Sequence, residues 1–455
     1  MRCSLRRNRR SRRWMRSTAL STLKTNTRTA LRHNREAPFS HPMAFYASFL
    51  DHLQPFGIRL GLSRMTELMT RLEDPQDQVP CIHVAGTNGK GSTCALVRAM
   101  LQAAGYRVGC YTSPHLVDWR ERITVQGRPI SAKDLDESLL TLQPHLKKLP
   151  SVTQFEAITA AAFVYFARQN LDVMVIEVGL GGRLDATNAV RRPRVTAITS
   201  IGLDHCNILG ETLAAIANEK AGILKPGVPM LTALLPPEAQ AVVQTRATER
   251  GCPVWIIPPA TMSGVEYTAL DLTYSLALKG PVQAQNSSLA LGICQELITQ
   301  GWSVPVEARR SGLAQARWPG RYQSLTYQGH ELLIDGAHNP EGAQFLRQFV
   351  DHWQMPVSWI VGLLTTKDSA AILKHLLAPA DEFWAVPVPS GSSYAPSLLA
   401  ATALDLQPGL TLSRAVADIP TALQQAKNPC VLCGSLYLIG DFLAYLGYTP
   451  ETLAG

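Results

Sequence analysis

The chain has 455 residues, 46% of them hydrophobic and 17% charged. That balance excludes a disordered protein, and at roughly 100–200 residues per domain the length suggests two to four domains, two being the simplest division. No run of about 18 apolar residues occurs, so no transmembrane helix is expected. Nine cysteines are too thinly spread for a disulfide scaffold and fit a reducing compartment.

The net charge of +8 misleads about partners. Residues 1–42 hold 12 of the 43 Lys and Arg against a single acid, Glu36, which leaves 31 basic and 34 acidic residues in the remainder. The basicity therefore belongs to a tail, Arg-, Ser- and Thr-rich and without the apolar stretch of a secretory signal. Three readings fit it: an organellar transit peptide, a basic arm for nucleic acid, or residues upstream of a translation start at Met43. In each it is expected to lack fixed structure, because too little apolar surface is present to offset the entropy of ordering.

From Met43 the pattern becomes that of a folded protein. Residues 79–85 (VPCIHVA) predict a buried strand that runs into GTNGKGS. Leu96, Ala99, Met100 and Ala103 at helical spacing then predict a helix stopped at Gly105. Residues 107–111 predict a second strand and 156–167 an Ala-rich helix. The near-continuous apolar run 172–178 (DVMVIEV) predicts a parallel strand covered on both faces. Residues 194–201 and 228–231 repeat that pattern. Segments with Pro and Gly near 257–264 and 302–320 read as interruptions. A second series follows: strand 331–334, helix 340–352, strand 358–363, and strand 430–433 before a final helix. The alternation predicts an α/β protein. A doubly wound sheet domain bearing a phosphate loop spans 43–313, and a smaller Rossmann-like α/β domain spans 314–455.

The strongest chemical feature is HVAGTNGKGST, residues 83–93. A strand, a glycine-rich turn and a helix start in that order aim backbone N–H groups and a helix N-terminus at an anion. Lys90 supplies a point charge for β- and γ-phosphates, and Ser92 or Thr93 a hydroxyl for Mg²⁺. The Walker pattern GxxxxGK[ST] is not met. Gly86 lies three residues before Gly89, and Gly91 intervenes between Lys90 and Ser92.

Polar residues recur where other strands end. Glu177 closes DVMVIE, Ser113 follows RVGCYT, Asp204 and His205 follow RVTAITSI, and Asp335 and His338 follow ELLI. Ligands of open α/β sheets sit beyond the carboxyl ends of strands. A carboxylate inside an apolar run, as at Glu177, is costly without a partner or a metal. Cys430 and Cys433 form a lone CxxC inside an apolar strand and read as core. Trp318, Trp353 and Trp384 read as core or interface, and His41, His52, His145 and His375 as structural.

Seven segments then carry a resemblance: GTNGKGST, YTSPHLVDWRERI, TQFEAITAAAF, IEVGLGGRLDATN, ITSIGLDHCNILGETLAAIANEKAGILKPG, WPGRYQ and DGAHNPEGA. In these the chain resembles the bifunctional dihydrofolate synthase / folylpolyglutamate synthase family of the Mur-ligase superfamily, and the SPHLVDWRERI stretch is most like its bacterial, cyanobacterial-type members. The resemblance implies a P-loop sheet domain like the Mur-ligase central domain. It implies an ADP-forming ligase that joins L-glutamate to a pterin-linked carboxylate through an acyl phosphate. Dihydropteroate would become dihydrofolate, and tetrahydrofolates would gain further glutamates.

Carried onto this sequence, Gly86, Thr87, Asn88, Gly89, Lys90, Gly91 and Ser92 would hold ATP, with Asn286, Arg321 and Asp335. Ser92, Ser113 and Glu177 would ligate one Mg²⁺, and His205 and a carbamylated Lys220 a second. Lys90, Lys220, His205 and His338 would serve catalysis. Thr153, Gln154, Phe155, Glu156, Leu184, Asp185 and Ala186 would meet the pterin. A monovalent cation, a monomeric state and a cytoplasmic location are further expectations of the resemblance, with import into an organelle if residues 1–42 are a transit peptide. No nucleic-acid or membrane partner is expected. Three alternatives stand beside it: a folylpolyglutamate synthase of single activity, a muramyl-peptide ligase, and a P-loop ATPase using a basic nucleic-acid arm. Only about 36 residues separate Met43 from the first strand, too few for the extra UDP-binding domain of a muramyl ligase, and the acidic body counts against the ATPase.

Overall fold

The structure, a computed structural model, describes residues 44–53, 59–389, 392–427 and 429–454. The basic segment 1–42, with the readings attached to it, and His41 lie outside the described residues. The first sheet contains β1 (Cys81–Ala85), β2 (Val108–Tyr111), β3 (Ile123–Val125), β4 (Arg128–Pro129), β5 (Val173–Glu177), β6 (Val195–Ile198), β7 (Met230–Ala233) and β8 (Val254–Ile257). Their spatial order is β4-β3-β2-β5-β1-β6-β7-β8. The six strands from β2 to β8 run parallel, and the β3–β4 hairpin adds an antiparallel edge.

The apolar runs produce this sheet because both of its faces are covered. Every residue of β1 and β5 is buried. On one face Ile82, Val84 and Val175 pack with Leu96, Val97 and Met100 of helix Lys90–Ala103 and with Leu289 and Ile293 of helix Gln283–Thr299. On the other, Cys81, Met174 and Ile176 pack with Ile158 and Phe163 of helix Gln154–Ala167. Successive strand residues point to opposite faces, so two cores share one set of strands. Helix Gln154–Ala167 begins with a capping box. Thr153 N donates to Glu156 Oε2 at 2.8 Å, and Glu156 N donates to Thr153 Oγ1 at 3.2 Å.

A small antiparallel sheet follows, of β9 (Thr261–Ser263), β10 (Glu266–Ala269) and β11 (Leu272–Ser275). The last sheet contains β12 (Gln323–Tyr327), β13 (His330–Ile334), β14 (Ser358–Val361), β15 (Glu382–Ala385), β16 (Leu412–Ala415) and β17 (Cys430–Cys433). It is ordered β12-β13-β17-β14-β15-β16 and is parallel except for β12. Cys430 and Cys433 are buried in its core, and so is Trp384. Helix Pro340–Asp351 starts as its sequence suggests, with proline in the first turn and Asn339 Oδ1 accepting from Gly342 N at 2.9 Å.

Both segments expected to be interruptions contain regular structure. Residues 257–264 hold the end of β8 and all of β9, and residues 302–320 hold helix Val306–Gln315. Pro305 sits at the N-cap of that helix, where a missing N–H costs nothing. Gly312 lies where the helix crosses Lys90–Ala103 so closely that a Cβ would stand 2.5 Å from Met100 Cα. Two of the Pro and Gly residues in that segment, Pro305 and Gly312, are therefore a start signal and a close-approach site. The expected division at 313/314 falls in the last turn of this helix, and the chain passes to the second sheet over residues 316–322.

Candidate active site

The glycine-rich turn joins β1 to helix Lys90–Ala103, with Gly86 at φ 153° and Gly89 at φ 85°. Neighbours fix its shape. Thr87 N donates to Ser200 O at 2.9 Å, Asn88 N to Ser200 Oγ at 2.9 Å, and Thr199 Oγ1 to Asn88 O at 2.6 Å. A side chain at 86 would overlap Thr199 Oγ1, and one at 89 would overlap Asn286 Oδ1. These glycines are demanded by contact as well as by backbone angle. The ammonium of Lys90 lies 3.1 Å from the carbonyl oxygens of Gly86 and Thr87. A second cation joins it, since Lys220 is buried and its Nζ donates to Gly86 O at 2.7 Å. Burial, reinforced by Lys90, pushes the Lys220 amine down to about 7.

Acidic and imidazole groups complete the centre. Glu177, at the carboxyl end of β5, is buried and accepts from Ser113 N at 3.2 Å. Burial pushes its carboxyl up to about 7 against the opposing pull of Lys90, the Ser113 amide, Arg321 and Arg122. His338 is held by a 2.6 Å contact between Nδ1 and Gly336 O, so Nδ1 carries the proton and Nε2 is left as an acceptor. Burial, with the charge of Lys367, pushes that imidazole down to about 3, so it is neutral at physiological pH. Asp335 is buried and accepts from Tyr322 N at 3.0 Å and Ala337 N at 2.8 Å, an arrangement that shapes the DGAHNP turn.

Asp204 is the hub where the two sheets meet. It accepts from Lys367 Nζ at 2.6 Å and from Asn339 Nδ2 at 3.2 Å, and its Oδ2 lies 3.8 Å from His338 Nε2. Burial opposes its ionisation, but His338, Lys367 and His205 outweigh that and hold the carboxyl well below the usual range. Asn88 of the loop donates to Glu341 Oε2 at 2.6 Å and accepts from Asn339 at 3.0 Å. Removing one partner of a pair this buried leaves a charge uncompensated. Lys367→Ala is therefore expected to lower stability by about 3 kcal/mol, and adding Asp204→Asn to recover a large part of it. Urea denaturation of the wild type, both single variants and the double variant measures the coupling, and additive losses would show that the pair does not act as a unit.

One cavity is lined by residues 86–92, Ser113, Glu177, His205, Lys220, Asn286, Arg321, Asp335 and His338. It thus gathers the expected phosphate-loop, metal and catalytic residues from both sheets. Thr153, Gln154, Phe155, Glu156, Leu184, Asp185 and Ala186 are not among its lining. Glu156 is engaged by the capping box and by Arg64 at 3.1 Å. Asp185 accepts from Leu180 N and from the Thr187 amide and hydroxyl, and Thr187 Oγ1 lies 2.9 Å from His83 Nε2. Two of the seven touch the wall from behind: Asp185 through Leu180 N at 2.9 Å, and Phe155, whose Cε2 lies 2.8 Å from where a Cβ on Gly179 would stand, Leu180 and Gly179 both lining the cavity. The sequence did not single out Lys367, Asn339 or Glu341. The last two follow His338 within a motif it had marked, whereas nothing near Lys367 announces a partner 163 residues away.

Among the described residues no cluster of three or more His, Cys, Asp and Glu could hold a metal by itself. The cavity offers a mixed set of carboxylate, hydroxyl, imidazole and amine donors instead. No helix among the described residues is long and apolar enough to cross a membrane.

Comparison with known proteins agrees with this layout. Residues 84–293 match the Mur ligase middle domain, and residues 320–445 match the dihydrofolate synthetase C-terminal domain. The dihydrofolate synthase/folylpolyglutamate synthase of Bacillus subtilis (strain 168) is 37% identical over 415 residues, which cover 85% of this chain and 95% of that protein. The Escherichia coli FolC structure in complex with DHPP and ADP superposes with a TM-score of 0.78 at 30% identity, covering 90% of this chain and 99% of that one. A bifunctional folylpolyglutamate synthase/dihydrofolate synthase with Mn, AMPPNP and L-glutamate bound gives a TM-score of 0.78 at 33% identity, covering 89% and 98%. Two domain matches in order, a relative aligned over nearly its whole length and a shared fold assign this chain to the dihydrofolate synthase/folylpolyglutamate synthase family of Mur-type ligases.

Proposed function

We propose that this chain uses ATP to activate a pterin-linked carboxylate as an acyl phosphate and joins it to L-glutamate. On this reading it makes dihydrofolate from dihydropteroate and extends tetrahydrofolates through their γ-carboxyl groups. The observation that carries the reading is the single cavity in which the phosphate loop, Lys90, Lys220 and Glu177 of one sheet face Arg321 and His338 of the other.

The substrate carboxylate attacks the γ-phosphorus and ADP leaves. The glutamate amine then attacks the acyl carbon, and the tetrahedral adduct expels phosphate. Both steps concentrate negative charge, so the loop amides, Lys90 and Arg321 supply the main stabilisation. Asn286 borders the nucleotide beside Gly89. His338 is neutral and its Nδ1–H is tied to Gly336 O, which leaves Nε2 as a hydrogen-bond acceptor in the cavity, able to orient the attacking glutamate amine. Phe155, behind Gly179, backs the pterin, with Thr153, Gln154, Glu156 and residues 184–186 shaping the region around it.

The donors fit a hard divalent ion. Glu177 is a buried carboxylate that one Ser113 amide leaves short of compensation, and the Ser92 hydroxyl and Ser113 line the same cavity. His205 and Lys220 fit a second ion if Lys220 carries a carbamate. An amine held near 7 is uncharged in about half of the molecules at neutral pH, and the uncharged amine is the form that bonds to the carbon of CO₂ with loss of one proton. Bound there, Mg²⁺ would neutralise and polarise phosphate oxygens.

Phosphate release with Mg-ATP and glutamate, offering dihydropteroate and tetrahydrofolate in parallel, tests the reading. Release with both is expected. Release with one alone assigns a single activity, and release with neither overturns the assignment.

A further inference from the structure

Gly91 sets this loop apart from a Walker sequence, and its neighbour explains why it is there. A Cβ on Gly91 would overlap the six-membered ring of Trp318 and stand 2.7 Å from Cε2 and 3.1 Å from Nε1. The indole therefore rests on the first turn of helix Lys90–Ala103, next to the lysine of the phosphate loop. Only a residue without a side chain allows that approach.

Trp318 belongs to the segment that carries the chain from the first sheet to the second. The helix before this segment is pinned to the same helix Lys90–Ala103 through the crossing at Gly312. Beyond Trp318 the path is held by the second sheet. Gly336 N donates to Gly320 O at 2.9 Å, Gly320 N to Gln323 Oε1 at 2.9 Å, and Tyr322 N to Asp335 Oδ2 at 3.0 Å. Arg321 lies between these ties and lines the cavity, with its Nη1 2.8 Å from where a Cβ on Gly336 would stand. Trp318 thus joins the phosphate-loop helix to the strap that delivers Arg321, beside the core contact of Ala316.

We propose that Trp318 is a positioning residue for the nucleotide: seated on Gly91, it fixes the crossover strap so that Arg321 enters the phosphate cavity. This rests on the reading that nucleotide phosphates bind at residues 86–92. It accounts for the glycine between Lys90 and Ser92 as the seat of the indole. It also makes nucleotide affinity depend on a side chain outside the phosphate loop.

The test is a mutant cycle between the two surfaces, read as ADP affinity by calorimetry and as the KM for ATP and for glutamate. Trp318→Leu is expected to raise the ATP KM about tenfold with little change in the glutamate KM, and Trp318→Phe to restore part of the loss. Gly91→Ala is expected to weaken nucleotide binding by at least as much. Adding Trp318→Leu to it makes room for the new methyl group, so the double variant loses less than the product of the single losses. Thermal denaturation checks folding, and if Trp318→Leu fails to fold, the same cycle is run with Trp318→Phe, whose smaller ring keeps the strap packed. Independent, multiplicative losses, or an unchanged ATP KM in Trp318→Leu, overturn the proposal. Wild-type protein that binds no ADP overturns the functional reading instead, a separate outcome.

Discussion

Lys220→Ala is expected to lower turnover about 10²–10³-fold, the range seen when one preorganised stabilising group is removed from a reaction centre, while the protein stays folded. Lys220 is buried at the end of helix Leu213–Lys220, and its one hydrogen bond among those described runs to Gly86 of the phosphate loop. Its amine is held near 7 against an ordinary 10.5. Between those values the unfolded chain binds a proton that the folded chain does not, so stability rises with pH across the window and the penalty is complete below about 7. Alanine removes that penalty. The melting temperature of the variant relative to wild type should therefore be higher at about pH 6 than at about pH 9. If Lys220 is carbamylated, wild-type turnover should also fall in CO₂-depleted buffer, and the variant should not respond. Near-wild-type turnover of Lys220→Ala would remove this lysine from the reaction. An equal change in melting temperature at both pH values would show that its amine is not held near 7.

Most of this centre is legible in the sequence because its residues sit at the ends of strands, and strands announce themselves. VMVIE is apolar up to its last residue, so Glu177 stands out against the run that buries it. HVAGTNGKGST spells strand, turn and helix in order. Lys220 is harder: in sequence it is a helix-end lysine that solvent would ordinarily claim, and only tertiary burial at the phosphate loop makes it unusual. The ties across the cleft cannot be read at all from spacing. Lys367 and Asp204, or Asn339 and Asn88, meet because two sheets converge, and no local pattern encodes a partner in the other half of the chain. Helix Val306–Gln315 was obscured for a different reason. Its proline and glycine serve start and crossing, jobs that look like loop signals until the neighbouring helix is in place. Thr153 and Glu156 show the converse limit. The same four residues that mark a family motif also spell a capping box, and the local role is the one their hydrogen bonds display.

Glu177→Gln should cost about as much activity as loss of Lys220 and change stability with the opposite pH dependence. Burial holds this carboxyl near 7 against an ordinary 4.5. Between those values the folded chain holds a proton that the unfolded chain releases, so stability falls as pH rises and the penalty is complete above about 7. Glutamine is neutral throughout. It should stabilise the protein at about pH 8 and do little at about pH 4.5, measured in chelator-treated samples. Divalent metal should reverse the comparison. At about 100 times its dissociation constant a ligand bound only by the folded state adds ~2.7 kcal/mol, and the wild type should gain this with Mg²⁺ or Mn²⁺ while Glu177→Gln gains little. Equal metal-induced shifts in both proteins would place the ion elsewhere. The two buried groups together predict a feature that neither gives alone. Stability lost from about 4.5 to 7 through Glu177 and regained from about 7 to 10.5 through Lys220 leaves a minimum near neutrality in the metal-free protein. That is the pH at which a cation on Glu177 and a carbamate on Lys220 would relieve both penalties. Binding of the groups needed for catalysis would then convert the least stable condition of the bare chain into a stable one.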